Sequence, residues 1–146
     1  MGAPDRRLEE LEMEGWTKIR PSGFTQLIGP ILSRVVDERR SYGFLVEQKH
    51  DNTQARAHGG MIMSFCDEAL GLAACASRPG RMMFTIEFGC QFIAGAKMGA
   101  FIEIEPEVVR SSRSLVFMRG TCLCAGEVVA TCSGIWKLVE TRGASA

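Results

Sequence analysis

An excess of charge of either sign is missing from this sequence: seventeen Lys and Arg balance seventeen Asp and Glu over 146 residues, for a formal net charge of zero. The long-range field with which nucleic-acid binders gather a polyanion is therefore absent, although a local Arg or Lys cluster can still hold a small anionic ligand. Histidine is scarce, with His50 and His58 alone. No paired C-x-x-C occurs and both histidines stand far from any cysteine cluster, which argues against a zinc site; no metal is expected. The six cysteines, Cys66, Cys75, Cys90, Cys122, Cys124 and Cys132, all lie inside apolar runs, the usual place of reduced core thiols. Residues 1–16 carry Arg6, Arg7 and five acidic side chains without an apolar run, so neither a signal peptide nor a membrane anchor is expected there. Arg6 also occupies the place where a myristoylation signal has Ser or Thr. The expected location is the cytoplasm.

What is present suffices for one core. A chain of this length with 46% hydrophobic residues fits a single domain. Residues 8–13 (LEELEM) favour a short helix, and an apolar segment at 24–33 (FTQLIGPILS) is broken by Gly29 and Pro30. These read as an N-terminal extension over 1–23 capping a main domain over 24–140, with 141–146 as a disordered tail. A strand is expected over 42–49 and a polar loop over 50–57. The strongest signal is the helix at 59–76, GGMIMSFCDEALGLAACA, ended by Arg78-Pro79-Gly80. Nearly every position in it is small or apolar, so it should be buried on most sides; Asp67 and Glu68 at its centre make it a poor membrane span. Four β-rich runs follow, at 82–92, 99–109, 115–124 and 127–139, with Ala125-Gly126 making a tight hairpin of the last two. A strand, a long helix and then four successive strands imply an α+β architecture: an antiparallel sheet wrapped around one long central helix.

One constellation carries chemistry. His58-Gly59-Gly60 opens the central helix, Asp67 lies nine residues after that histidine, Asn52 lies six before it, and Thr85 stands in the next strand. With SSRSLVF at 111–117 and the closing hairpin, this resembles the PaaI-like branch of the hotdog-fold thioesterase superfamily, over residues 24–139. The resemblance implies an acyl- or aryl-CoA thioesterase with coenzyme A as part of the substrate and no other cofactor. It makes the Gly59 N–H an oxyanion hole and Asp67 the nucleophile or general base. Asn52 would position the water or the carbonyl, and Thr85 would help hold the attacking water. His58, part of the same motif, is expected to hold the loop. The sequence departs from the family at Ala55, where glycine is common between the asparagine and the histidine.

The residues themselves agree. A helix N-terminus offers free N–H donors and a partial positive charge to a developing oxyanion, and paired glycines let a carbonyl approach. Yet Asp67 lies eight residues beyond Gly59, about 12 Å along one helix, whereas both must reach one acyl carbon at about 3–3.5 Å. If both act, a two-fold dimer with antiparallel helices is required, so that Gly59 of one copy faces Asp67 of the other. A homodimer is thus the minimal unit, and relatives of this kind imply a homotetramer. Glu68 is the local rival, about 100° round the helix from Asp67 and expected to point elsewhere.

The substrate-binding candidates are Gly60, Met82, Met83, and the basic hydroxyl-rich turn Arg110, Ser111, Ser112 and Arg113, which suits phosphates. Arg78 and Arg81 are weaker candidates for the same role, and Met61, Met63, Phe84 and Phe88 could line an acyl tunnel. The expected partners are an acyl-CoA and copies of the chain, with no nucleic acid and no membrane. The alternatives are a non-catalytic acyl-CoA binding or sensing module, in which Asp67 is structural, and a hydratase, which would want a catalytic histidine that neither His50 nor His58 is placed to be.

Overall fold

The computed structural model describes residues 2–141; Met1 and 142–146, most of the expected disordered tail, lie outside the described residues. Helix α1 (Ala3–Met13) leads into the short strand β1 (Thr17–Lys18), helix α2 (Gly23–Ile28) and the hairpin β2 (Ile31–Val36) and β3 (Arg39–Leu45). A 3-10 turn at Gln48–His50 precedes helix α3 (Gly59–Ser77), followed by β4 (Arg81–Phe92), β5 (Phe101–Ile104), β6 (Glu107–Ser111), β7 (Leu115–Cys124) and β8 (Glu127–Glu140). Every strand pair is antiparallel, in the order β1-β2-β3-β5-β7-β8-β4 with β6 added on β7.

Helix α3 forms where the sequence expects it, and its length follows from its ends. His58 caps the start by accepting the Gly60 N–H at Nδ1, 2.8 Å, and Pro79 with the left-handed Gly80 stops the other end. Met61, Ile62, Phe65, Cys66, Ala69, Leu70 and Ala74 form one buried stripe. They pack against Ile31, Phe44, Ile102, Ile104, Met118, Ala130 and Trp136 from the sheet. Phe65 and Leu70 are fully buried, worth about 1.5–3 kcal/mol each against exposure. The helix is not buried on most sides, however: Met63 is 39% exposed, and Asp67, Glu68, Gly71 and Leu72 are half-buried on a face that the sheet does not cover.

The N-terminal extension adds to the sheet rather than lying free of it. Strand β1 pairs with β2, and Leu11, Trp16 and Leu32 form a second small core beside Phe101. Strand β2 was not expected from the sequence; residues 24–33 split at Gly29-Pro30 into a helix and a strand. Its hairpin turns on Asp37 and Glu38, both left-handed at φ 49° and 64°, which are weaker turn signals than the usual glycine or asparagine. The expected strand at 42–49 ends at Leu45, and the one at 99–109 is two strands separated at Glu105-Pro106. Strands β4, β7 and β8 match their expected runs closely. In β8 a bulge opposite Cys122 and Leu123 shifts the inward register, so that Val129 is buried and Val128 is not. The 125–126 turn is the expected tight one, with both residues at positive φ. All six cysteines are free; Cys66 and Cys122 meet in the core with sulfurs 3.2 Å apart.

Candidate active site

Asn52 and Gly59 line one cleft and Asp67, Thr85 and Met83 another, and the two share no lining residue; His58, Gly60, Met82 and Arg110, Ser111, Ser112 and Arg113 line neither. The first, about 450 Å³, opens at the start of α3 between Asn52, Gln54, Arg56, Gly59, Ile62 and residues 92–95. Among the described residues the Gly59 N–H has no acceptor, whereas that of Gly60 is taken by His58. Gly59 is therefore the free donor at the positive end of the helix. Its Cα faces the Phe92 ring, which a Cβ there would meet at 3.3 Å. Asn52 closes its own loop: Oδ1 accepts the Gln54 N–H at 2.9 Å and the Arg56 N–H at 3.3 Å. That assigns the amide nitrogen Nδ2 to the free side, so Asn52 can donate to a carbonyl beside Gly59. The loop passes through Thr53 and Ala55 in left-handed conformations, φ 72° and 56°. Ala55 keeps the backbone shape for which the family's glycine is suited, at some cost in strain.

The second cleft, about 210 Å³, runs along the uncovered face of α3 between Asp67, Glu68, Gly71, Leu72 and Cys75 on one side and Met83, Thr85 and Trp136 on the other. Thr85 Oγ1 donates to Asp67 Oδ1 at 2.8 Å. A bulge between Thr85 and Glu87 in β4 sets this aim, because it lets Met83 and Thr85 face the helix while Phe88 and Cys90 still turn to the core. Met82 points to the other face, 47% exposed, so the two neighbouring methionines are separated by strand alternation. Glu68 shares the cleft with Asp67, contrary to the expectation that it would point elsewhere; an open groove admits residues 100° apart on a helix. Asp67 is the one fixed by a hydroxyl. Burial pushes the Cys75 thiol up, which keeps it from acting as a thiolate here.

The basic turn is built around a residue given less weight in the sequence. Arg78, capping α3, donates from Nη1 to Ser111 Oγ and to the Ser112 carbonyl, both at 2.9 Å, close to Arg110 and Arg113 in sequence. Arg81 is paired with Glu140 at 3.2 Å. The turn lies beyond the C-terminal end of α3, eleven residues or about 16 Å along the helix from Asp67. Several lining residues were missed by sequence reasoning, two of them chemically distinctive. Arg56 borders the Gly59 cleft and Trp136 walls the Asp67 cleft, and only tertiary packing distinguishes them from a loop arginine and a core tryptophan. His50 was set aside as a loop residue and is in fact buried. Its Nδ1 accepts the Glu47 N–H at 3.0 Å, its Nε2 meets the Ile28 carbonyl at 2.8 Å, and burial holds its pKa below the usual value.

Residues 54–131, which include Gly59, Asp67 and Thr85, match the family model described as Thioesterase superfamily. This chain belongs to the thioesterase superfamily. Among curated proteins, the one named "Putative esterase PA0474" of Pseudomonas aeruginosa is 29% identical over 121 residues, 82% of this chain and 90% of its own length. The family assignment and that relative place the chain with the hydrolases of thioesters and esters. A structure of the Bacillus halodurans protein BH2602 with CoA superposes with a TM-score of 0.74 at 19% identity, over 96% of this chain and 90% of that one. A single-site mutant of the phenylacetic acid degradation protein PaaI of Thermus thermophilus superposes at 0.70 and 20% identity, over 80% of this chain and 98% of that one. The thioesterase superfamily member thus has the hotdog fold that its sequence resemblance implied.

Proposed function

We propose that the protein is an acyl-CoA or aryl-CoA thioesterase whose complete site forms between two copies of the chain. The observation that carries this reading is the hydrogen bond from Thr85 to Asp67 in a half-buried groove, with the free Gly59 N–H in a separate cleft about 12 Å along the same helix. Each chain holds one half of an acyl-transfer site. A two-fold partner brings the halves together, and β4 offers the surface: it is the last strand of the sheet, and Met82, Phe84 and Ile86 on it are each about half exposed. The bound CoA in the Bacillus halodurans relative supports coenzyme A as the leaving group.

In this reading the thioester carbonyl accepts hydrogen bonds from the Gly59 N–H and the Asn52 amide, which strengthen as its oxygen becomes an anion. Asp67 of the other copy takes a proton from a water whose oxygen adds to the carbonyl carbon. The carbon–sulfur bond then breaks and the thiolate leaves as the acid forms. Thr85, whose hydroxyl donates its hydrogen bond to Asp67 Oδ1, keeps oxygen lone pairs with which to accept from that water. His58 keeps the helix start in place and takes no part in the proton transfer. No metal is called for, since a thiolate is a good leaving group.

The test is thiol release from short-chain, medium-chain and aryl-CoA esters by wild type and Asp67→Asn, with both proteins sized in solution. The expected result is a dimer or tetramer in each case and a loss of at least about a hundredfold in the variant. A monomer with full turnover would overturn the shared site, undiminished turnover in the variant would pass the role to Glu68, and binding of every ester without turnover would make this a sensing module.

A further inference from the structure

Resting on the thioesterase reading, a further feature of the Asp67 groove bears on what the acyl group is. The Trp136 ring is 2% exposed, and its Nε1, without a hydrogen-bond partner among the described residues, is not sealed in the core but keeps its small exposure at the groove. An indole N–H that opens onto a groove is a donor available to an acceptor lying there. The ring is held on three sides. Its benzene edge lies over Gly134, where a Cβ would come within 2.9 Å of two ring carbons, and Phe88 packs edge-on at 6.3 Å between centroids. Its nitrogen edge faces α3 at Gly71, where a Cβ would stand 3.1 Å from Nε1. Two glycines thus set this ring so that its donor lies in the groove that Asp67 and Thr85 also line.

We propose that Trp136 is a specificity-determining residue, its indole N–H receiving an oxygen acceptor at the far end of a compact acyl group. Gly71 lies four residues past Asp67, so the donor sits about 6 Å along the helix from the catalytic carboxylate. The carbonyl carbon and the distal oxygen of the acyl group are separated by about that distance. Asp67 and Trp136 line this one groove, so an acyl group lying in it spans the two. The other polar groups there do not compete for the role. Glu68 as a carboxylate accepts and repels an oxygen, and the Cys75 thiol is a weak donor.

Isosteric ester pairs isolate the acceptor from size: 4-methoxybenzoyl-CoA against 4-ethylbenzoyl-CoA, and 5-oxohexanoyl-CoA against 5-methylhexanoyl-CoA. In wild type, kcat/KM for the oxygenated member of a pair should exceed that of its hydrocarbon isostere by about tenfold or more, and the ratio should fall to about one in Trp136→Phe. A second readout needs no variant. The indole N–H resonance of Trp136 in the wild-type protein should move downfield with a 4-methoxybenzyl thioether of CoA and not with its 4-ethylbenzyl counterpart, while Trp16, in the separate small core, stays fixed. A ratio near one in wild type, a ratio that survives in Trp136→Phe, or an indole resonance that ignores the oxygen would overturn the inference while leaving the thioesterase reading intact. Absence of turnover for all four esters would instead remove that reading, and the resonance would still decide whether Trp136 receives an oxygen.

Discussion

Thr85 on β4 and Asp67 on α3, eighteen residues apart in the chain, are joined by a 2.8 Å hydrogen bond from the threonine hydroxyl to the carboxylate. The bond fixes one carboxylate oxygen and leaves the other to the groove. Thr85→Val keeps the shape and removes the hydroxyl. We expect kcat to fall about tenfold with little change in KM, since in the proposed mechanism the bond orients Asp67 and the attacking water rather than the substrate; about 1.4 kcal/mol is what one such bond contributes. Steady-state kinetics on a CoA ester, with circular dichroism to confirm the fold, check this. An unchanged kcat would make Thr85 an ordinary strand residue.

Gly59→Ala separates the helix-start donor from the fold. The added Cβ meets only the Phe92 ring, at 3.3 Å, and that side chain is 54% exposed and free to swing. The melting temperature should stay within about 2 °C of wild type. Activity should drop about 10- to 100-fold because a carbonyl can no longer come close to the N–H. Loss of stability in parallel with activity would count against a role for the open backbone.

Ala55 sits at φ 56°, where a Cβ is strained and glycine is not. Ala55→Gly should therefore stabilise the protein by about 1 kcal/mol, or about 3 °C in melting temperature, with the greater freedom of the unfolded glycine chain subtracting a few tenths. A lower melting temperature would show that the loop tolerates alanine without strain.

His50 supplies a pH dependence whose sign is fixed by its environment. Burial lowers its folded pKa below the unfolded value of about 6.5, so on acidification the unfolded chain takes up the proton first. Its contribution to stability is fully present above pH ~6.5 and is lost as pH falls below that toward the folded pKa. Denaturant titrations at pH 7.5, 6.5 and 5.5 should show stability declining over the lower step. His50→Asn keeps an acceptor for the Glu47 N–H but cannot titrate, so it should be less stable at pH 7.5 and show a flatter decline.

The reach of sequence reasoning differs between the two halves of the structure. Helix α3 and strands β4, β7 and β8 were legible because their signals are local: a run of small and apolar residues ended by Pro79-Gly80 makes α3, and β-rich runs split by turn residues make the strands, whereas the run at 99–109 is divided at Glu105-Pro106. Strand β2 was not, because its turn rests on Asp37 and Glu38 in conformations that residue type does not advertise. Within the site, the resemblance to the hotdog thioesterases pointed to Asp67, Gly59, Asn52 and Thr85 as a set. It did not show that Asn52 spends its carbonyl on its own loop, that Glu68 shares the groove, or that Arg78 holds the basic turn.

What the sequence by itself determined is the helix with its glycine start and central carboxylate, and therefore the roughly 12 Å between Gly59 and Asp67 along it, since helical rise is a property of the backbone and depends on nothing distant. The tertiary structure decided which side chains share a wall. A bulge in β4 aims Thr85 at Asp67, and two glycines on different elements turn Trp136 so that its nitrogen edge meets the groove. Such choices depend on register and on the space left between elements, and neither is written in any one segment of the chain.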